Sequence, residues 1–318
     1  MPIDDRPTEF IPPGNEPILP APLHSAAELL PVLARCTGDT LETARQRLIA
    51  ECRCSGINVR RDAQKFGLVP HVWSDRLIHF YAETSSFLYE TAVWNRSQLK
   101  QSIRNWIGGF LTTQAPSAAR LLVYGDGLGF DSAFLATIGF NVTSLEPSER
   151  GQRFAAEVFE KNDVTVRQVA GDDSLAGETF DAIVCLDVLE HLPSPPHTLD
   201  HFHRWLAPHG LLVVSAPFFL VDRHRPTHLA ANRKYSGSLA LFRSAGFEPL
   251  AGRWMWDPVA FRKGLGGTFR ATLPLRIGQP LLATGRRLGP IHSRLARWML
   301  RTDTALLQQL QAPPSGGV

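Results

Sequence analysis

The chain has 318 residues, 44% of them hydrophobic and 20% charged, a globular composition that suits one large domain with additions or two smaller ones. A formal net charge of +3 is too small for a general nucleic-acid binder, and no nucleic-acid partner is expected. After residue 264 come seven Arg (270, 276, 286, 287, 294, 297 and 301) against one acid, Asp303, so the basic charge belongs to the tail.

Four cysteines at 36, 52, 54 and 185 make no disulfide framework in a chain of this size. Cys52 and Cys54 have no second pair or His cluster at zinc-ligand spacing, so no metal is expected. Cys185 sits in an apolar run and reads as a small core residue. The first residues lack the basic and apolar regions of a signal peptide, and no apolar run reaches the length of a membrane span. A reduced, cytoplasmic setting is the expectation.

Residues 1–23 hold seven of the 24 prolines and read as a disordered or extended arm. From 24 to 117 the pattern is helical. Ser25 can cap a helix through Leu29, Leu30 and Leu33, and Thr40 one through Leu41, Ala44 and Leu48. A longer helical region runs from about Ser74 to Phe110, with a break near Thr84-Ser85-Ser86. It is rich in aromatics, which either pack this layer onto the next domain or line a pocket. Phe80, Tyr81, Phe87 and Tyr89 are the first candidates for the second role.

After Pro116, strands and helices alternate. Strands are predicted at 121–124, 141–146, 164–169, 180–186, 211–215 and 247–256, with helices at about 132–138, 148–161, 198–206 and 238–244. The fourth strand is nearly all apolar, as expected of one buried on both faces. Pro258 to Phe261 ends the sheet. The fold class is therefore α/β, a doubly wound Rossmann-like parallel sheet over 118–264, with an N-terminal helical layer at 24–117 and a basic helical tail at 265–318.

In such folds ligands bind at the carboxyl ends of the strands. Gly125-Asp126-Gly127-Leu128-Gly129 stands there, between the first strand and the first helix after it. A dinucleotide fingerprint would place its last glycine at 130, which is Phe130, and no Lys-Ser/Thr pair follows to make a phosphate loop. Glu146 ends the second strand, where an acid can accept hydrogen bonds from both ribose hydroxyls of an adenosine.

These stretches, with Gly171-Asp172 and the run Phe180 to Leu192, fall in order. Together they resemble the class I (Rossmann-like) S-adenosyl-L-methionine-dependent methyltransferases, especially the branch similar to the ubiquinone-biosynthesis methyltransferases. The resemblance covers roughly 118–250, and Val188-Leu189-Glu190-His191-Leu192 is its most specific element. It implies that Gly125, Gly127 and Gly129 let the backbone pass close to the methionine part of the cofactor. It further implies that Glu146 binds ribose, that Asp172 (Asp173 as rival) binds the adenine amino group, and that Asp187 to His191 border the sulfonium and the acceptor. One position departs: the family has an acid two residues before the first glycine, and this chain has Val123. Asp126 is the candidate to supply that carboxylate instead.

Methyl transfer needs a general base only if the acceptor is protonated, and His191 and His228 are the candidates. His224, Arg223 and Arg225 lie on the same loop as His228. In the tail, Pro290 opens a basic amphipathic segment with Ile291, Leu295, Trp298 and Met299 on one face. It can lie on an anionic membrane surface, cover the domain, or pair with another subunit. The sequence thus predicts a methyltransferase acting on a small-molecule or lipid-linked acceptor, at oxygen. The alternative is a non-catalytic interaction protein that keeps the fold.

Overall fold

A computed structural model of the chain describes residues 19–253, 258–264 and 303–312. Six helices come first: α1 (Ala26–Thr37), α2 (Leu41–Arg53), α3 (Ile57–Lys65), α4 (Asp75–Glu83), α5 (Ser86–Arg96) and α6 (Gln98–Gln114). The expected caps are in place. The Ser25 hydroxyl accepts from the Glu28 N–H and the Thr40 hydroxyl from that of Thr43, satisfying first-turn donors that the helix leaves unpaired. Beyond the expected break at Thr84-Ser85, a second break falls at Ser97. Its backbone is extended and its hydroxyl caps α6 through the Lys100 N–H, the competition with helix that serine offers. Helix α3 carries no sequence signal: it is polar and starts at Gly56, in the left-handed region with φ 77°.

Seven strands form one sheet: β1 (Arg120–Tyr124), β2 (Asn141–Leu145), β3 (Arg167–Val169), β4 (Phe180–Leu186), β5 (Leu206–Ser215), β6 (Phe247–Gly252) and β7 (Val259–Lys263). Their order is β3-β2-β1-β4-β5-β7-β6. The first five are parallel, but β7 runs antiparallel to both neighbours, which corrects the all-parallel expectation. Strand β7 follows β6 by a short connection, and a short connection permits only antiparallel pairing. It fills the place between β5 and β6 instead of ending the sheet at an edge.

Between the strands lie α7 (Phe130–Thr137), α8 (Glu149–Lys161), α9 (Pro195–Trp205) and α10 (Leu239–Ser244). Alternate residues of β1, β4 and β5 divide between two cores. Leu122, Ile183 and Leu212 pack under α9 and α10 with Leu199, Phe202 and Phe242. Leu121, Val123, Val184 and Val213 pack under α6 with Ile103, Trp106 and Ile107. This two-sided burial is why these strands read as unbroken apolar runs.

The arm's residues 19–23 are described, and Leu23 is fully buried among α1, α2 and α8. The Asn162 side chain holds it, accepting from the Ala21 N–H and donating to the Ala21 carbonyl. In the tail, α11 (Thr304–Gln311) docks on α1 and α2, with Leu306 and Leu310 fully buried. Arg96 ties the two ends: its Nε donates to Asp303 at 2.5 Å and its Nη1 to the Leu23 carbonyl. The amphipathic segment after Pro290 lies outside the described residues. Among those residues no helix is long and apolar enough to cross a membrane.

Candidate active site

The glycine loop leaves β1 at the carboxyl edge of the sheet. Gly125, Gly127 and Gly129 all have positive φ, at 73°, 66° and 81°, a conformation that strains any residue with a Cβ. Space restricts two of them further. A Cβ on Gly125 would stand 2.6 Å from a Val188 methyl, and one on Gly129 would stand 2.9 Å from the Ala155 Cα. At Gly127 a Cβ would meet only a Thr91 methyl, at 3.7 Å, so the loop's middle faces open space beneath α5.

Glu146 braces this loop, accepting from the Gly127 N–H at 2.9 Å and the Ser148 N–H at 2.8 Å. Burial pushes its carboxyl up to about 7, against those two bonds. Asp126 turns the other way, accepting from the Asp131 and Ser132 N–H groups at 3.2 and 3.0 Å, where an anion suits the first turn of α7. Burial, with the nearby Asp131, raises it to about 6. Asp172 opens a 3-10 turn, 3.1 Å from His201 Nδ1 and hydrogen-bonded to the Tyr124 hydroxyl.

Asp187, the first residue past β4, has φ 58°, unusual for a residue with a side chain. Its carboxylate accepts from Trp94 Nε1 at 3.0 Å and from Ser215 Oγ at 3.1 Å. It borders a cavity of about 210 Å³ roofed by α5 and α6. Val59, Phe87, Leu99, Ile103, Phe219 and Leu220 form the apolar wall, and Glu90, Glu190, His191, Arg225 and His228 the polar one. Burial raises the Glu90 carboxyl while Arg225 draws it down.

His191 and His228 meet here with ring centroids 4.5 Å apart, although 37 positions separate them in sequence. His191 is occupied: its Nδ1 lies 3.0 Å from the Tyr81 hydroxyl and its ring also bonds the Thr227 backbone. His228 bonds the Leu220 backbone, and its buried Nδ1 has no partner. The Leu220 carbonyl therefore takes the Nε2 proton, leaving Nδ1 as a lone-pair acceptor. Burial holds His191 down to about 4 and His228 well below the ordinary value. Ligand atoms of Glu190, His191 and His228 lie within 4.8 Å of one another, an arrangement able to hold a divalent ion. Spacing rules could not see this group.

Of the four aromatics proposed for the pocket, only Phe87 lines it, while Tyr81 reaches it through His191. Phe80 is fully buried with Val59 and Leu77, and the fully buried Tyr89 donates its hydroxyl to Asp39. Trp94 is the aromatic the sequence reading passed over. It stands in the last turn of α5, and its bond to Asp187 at the end of β4 is a tertiary contact that no local spacing marks. His224 also lines the cavity, its Nδ1 3.0 Å from Arg60, whereas Arg223 is exposed.

A histidine whose folded pKa lies below its unfolded value binds fewer protons when folded, so its contribution is lost as pH falls from 6.5 to about 4. The raised Glu146 acts in the opposite sense between 4.5 and about 7. The histidine part is isolated by His191→Gln, which should lose less of its melting temperature between pH 7.5 and 5 than wild type, by roughly a few degrees. Equal losses would refute it.

Residues 96–252 match the methyltransferase-domain family. The ubiquinone biosynthesis O-methyltransferase of Rickettsia typhi is 27% identical over 101 residues, covering 31% of this chain and 41% of that protein. The protein of the same name from Dechloromonas aromatica is 34% identical over 103 residues, covering 30% and 43%. That from Ralstonia nicotianae is 28% identical over 178 residues, covering 49% and 75%. The matches thus span under half the length of the first two relatives. Among solved structures, an amino pentose methyltransferase from Micromonospora echinaspora aligns with TM-score 0.43 and 19% identity, over 56% of this chain and 97% of that one. Residues 96–252 thus carry a methyltransferase domain, similar in sequence to the class I, Rossmann-like S-adenosylmethionine-dependent methyltransferases.

Proposed function

We propose that the protein transfers a methyl group from S-adenosylmethionine to an oxygen of a small organic acceptor held in the cavity under α5 and α6. The observation that carries this is the single cavity bordered by Asp187 at the cofactor edge and by the buried, unpartnered Nδ1 of His228. The residues fit the cofactor. The open cradle over Gly127 admits a ligand against the backbone, Glu146 keeps a lone pair on each oxygen for ribose hydroxyls, and Asp172 stands at the next strand end. When bound, S-adenosylmethionine supplies a methyl group made electrophilic by its sulfonium.

The chain's own residues then position and deprotonate. Trp94, Phe87 and Phe219 exclude water and orient the acceptor, which is much of what an in-line displacement requires. His228 Nδ1 takes the proton of the acceptor hydroxyl, and the Leu220 carbonyl keeps the ring in the competent tautomer. A cavity of about 210 Å³ suits a single ring or similar small group. Helices from the 24–117 layer supply its roof, and the free cysteines among the described residues suit a cytoplasmic setting.

Calorimetry with S-adenosylmethionine, S-adenosylhomocysteine and NAD tests the reading. Binding of the first two supports it and binding of NAD alone ends it. Binding of none favours the non-catalytic interaction protein. An acceptor is then sought by incubating cell extracts with a labelled methyl donor.

A further inference from the structure

We propose that Asp187 takes over from the acid missing at position 123 and receives the ammonium group of the methyl donor's methionine part. The proposal rests on the methyl-donor reading above. Position 123 itself cannot serve: Val123 is 2% exposed and packed under α6 with Ile103 and Ile107. The nearest acid in sequence is also committed. Asp126 turns to the first turn of α7, which both its oxygens meet, and unlike Asp187 it does not line the cavity.

Asp187 lies on the same side of the sheet, one strand over. Register pairs Val123 of β1 with Val184 of β4, and Leu186 shares Val123's core cluster. The groups that hold the Asp187 carboxylate come from that side too. Trp94 packs against the cluster, and Ser215 stands two residues past its member Val213. The turn at 187–188 touches the loop itself, since Val188 blocks the place of a Cβ on Gly125. A carboxylate thus stands at the end of the neighbouring strand, next in sequence to the residue that meets the first glycine.

Its bonding leaves it fit for a cation. The indole N–H and the hydroxyl that bind it are both neutral, so they orient the carboxylate without cancelling its charge, and each oxygen keeps a lone pair. The left-handed backbone at φ 58° is held by the Asp187 N–H donating to the Ser215 carbonyl at 2.8 Å. A strained, buried-edge aspartate in a ligand cavity is the pattern in which strain accompanies a function.

The test compares S-adenosylhomocysteine, which carries the ammonium group, with 5′-methylthioadenosine, which lacks the amino-acid part, by calorimetry on the full chain. Asp187→Asn, whose amide oxygen still accepts from Trp94 and whose amide nitrogen can donate to the Ser215 hydroxyl, should weaken S-adenosylhomocysteine roughly 10- to 100-fold, as for a lost hydrogen bond to a charged group. It should leave 5′-methylthioadenosine within about twofold. Equal weakening of both ligands, or of neither, overturns the proposal. So does Asp126→Asn removing the preference while Asp187→Asn retains it. Wild type that binds neither ligand overturns the methyl-donor reading, and the proposal with it.

Discussion

Asp131→Ala should cost about 3–5 kcal/mol of stability, the range for breaking a buried ion pair and leaving charge uncompensated. Asp131 meets Lys100 Nζ at 2.8 Å and Arg104 Nε at 2.9 Å, and none of the three side chains is more than 9% exposed. Arg104 also donates to the Asn95 side chain. Burial alone would raise the Asp131 carboxyl, but Lys100 and Arg104 overcome it and hold it at about 2. The folded pKa lies below the unfolded one, so the contribution is present above pH 3.8 and lost as pH falls toward 2. Without Asp131 two cations stay buried between α6 and α7, and the first turn of α7 loses its anchor beside the glycine loop. Urea unfolding reads the effect as a lower midpoint at unchanged slope. A loss under 1 kcal/mol would mean that the cations find water, and would refute the prediction.

His228→Asn should lower kcat about 10²- to 10⁴-fold, the usual contribution of a positioned general base, while leaving S-adenosylhomocysteine affinity unchanged. The wild-type rate should be flat from pH 6.5 upward, because burial keeps His228 neutral well below its ordinary value. The competing use of this group is as a metal ligand with Glu190 and His191. A chelator separates the two: a base works on after chelation, whereas a ligand set loses its rate and regains it with added divalent ion. A kcat within a fewfold of wild type in His228→Asn would remove His228 from the chemistry.

What could be read in the sequence was what neighbouring residues decide. Ser25, Thr40 and Ser74 mark helix starts because a cap and its first turn are local. The glycine loop and Glu146 stand at strand ends, where the fold binds ligands. What could not be read depends on distant partners. Nothing near His228 says that His191 lies across the cavity or that Leu220 fixes its tautomer. Phe80 and Tyr89 share the helical spacing of Phe87, but only packing decides which face meets the cavity. The short connection after β6 fixes the direction of β7, but its place between β5 and β6 is something no property of Val259 to Lys263 expresses.

The clasp at Arg96 has a consequence for the order in which the protein assembles. On the ribosome, α1 and α2 emerge before the sheet, yet the surface that receives Leu306 and Leu310 stays uncovered until the whole sheet has been synthesised. Helices α1 and α2, made before the sheet, are therefore covered only after it. A nascent chain halted within the sheet exposes an apolar seat between α1 and α2, where a chaperone can bind until α11 displaces it.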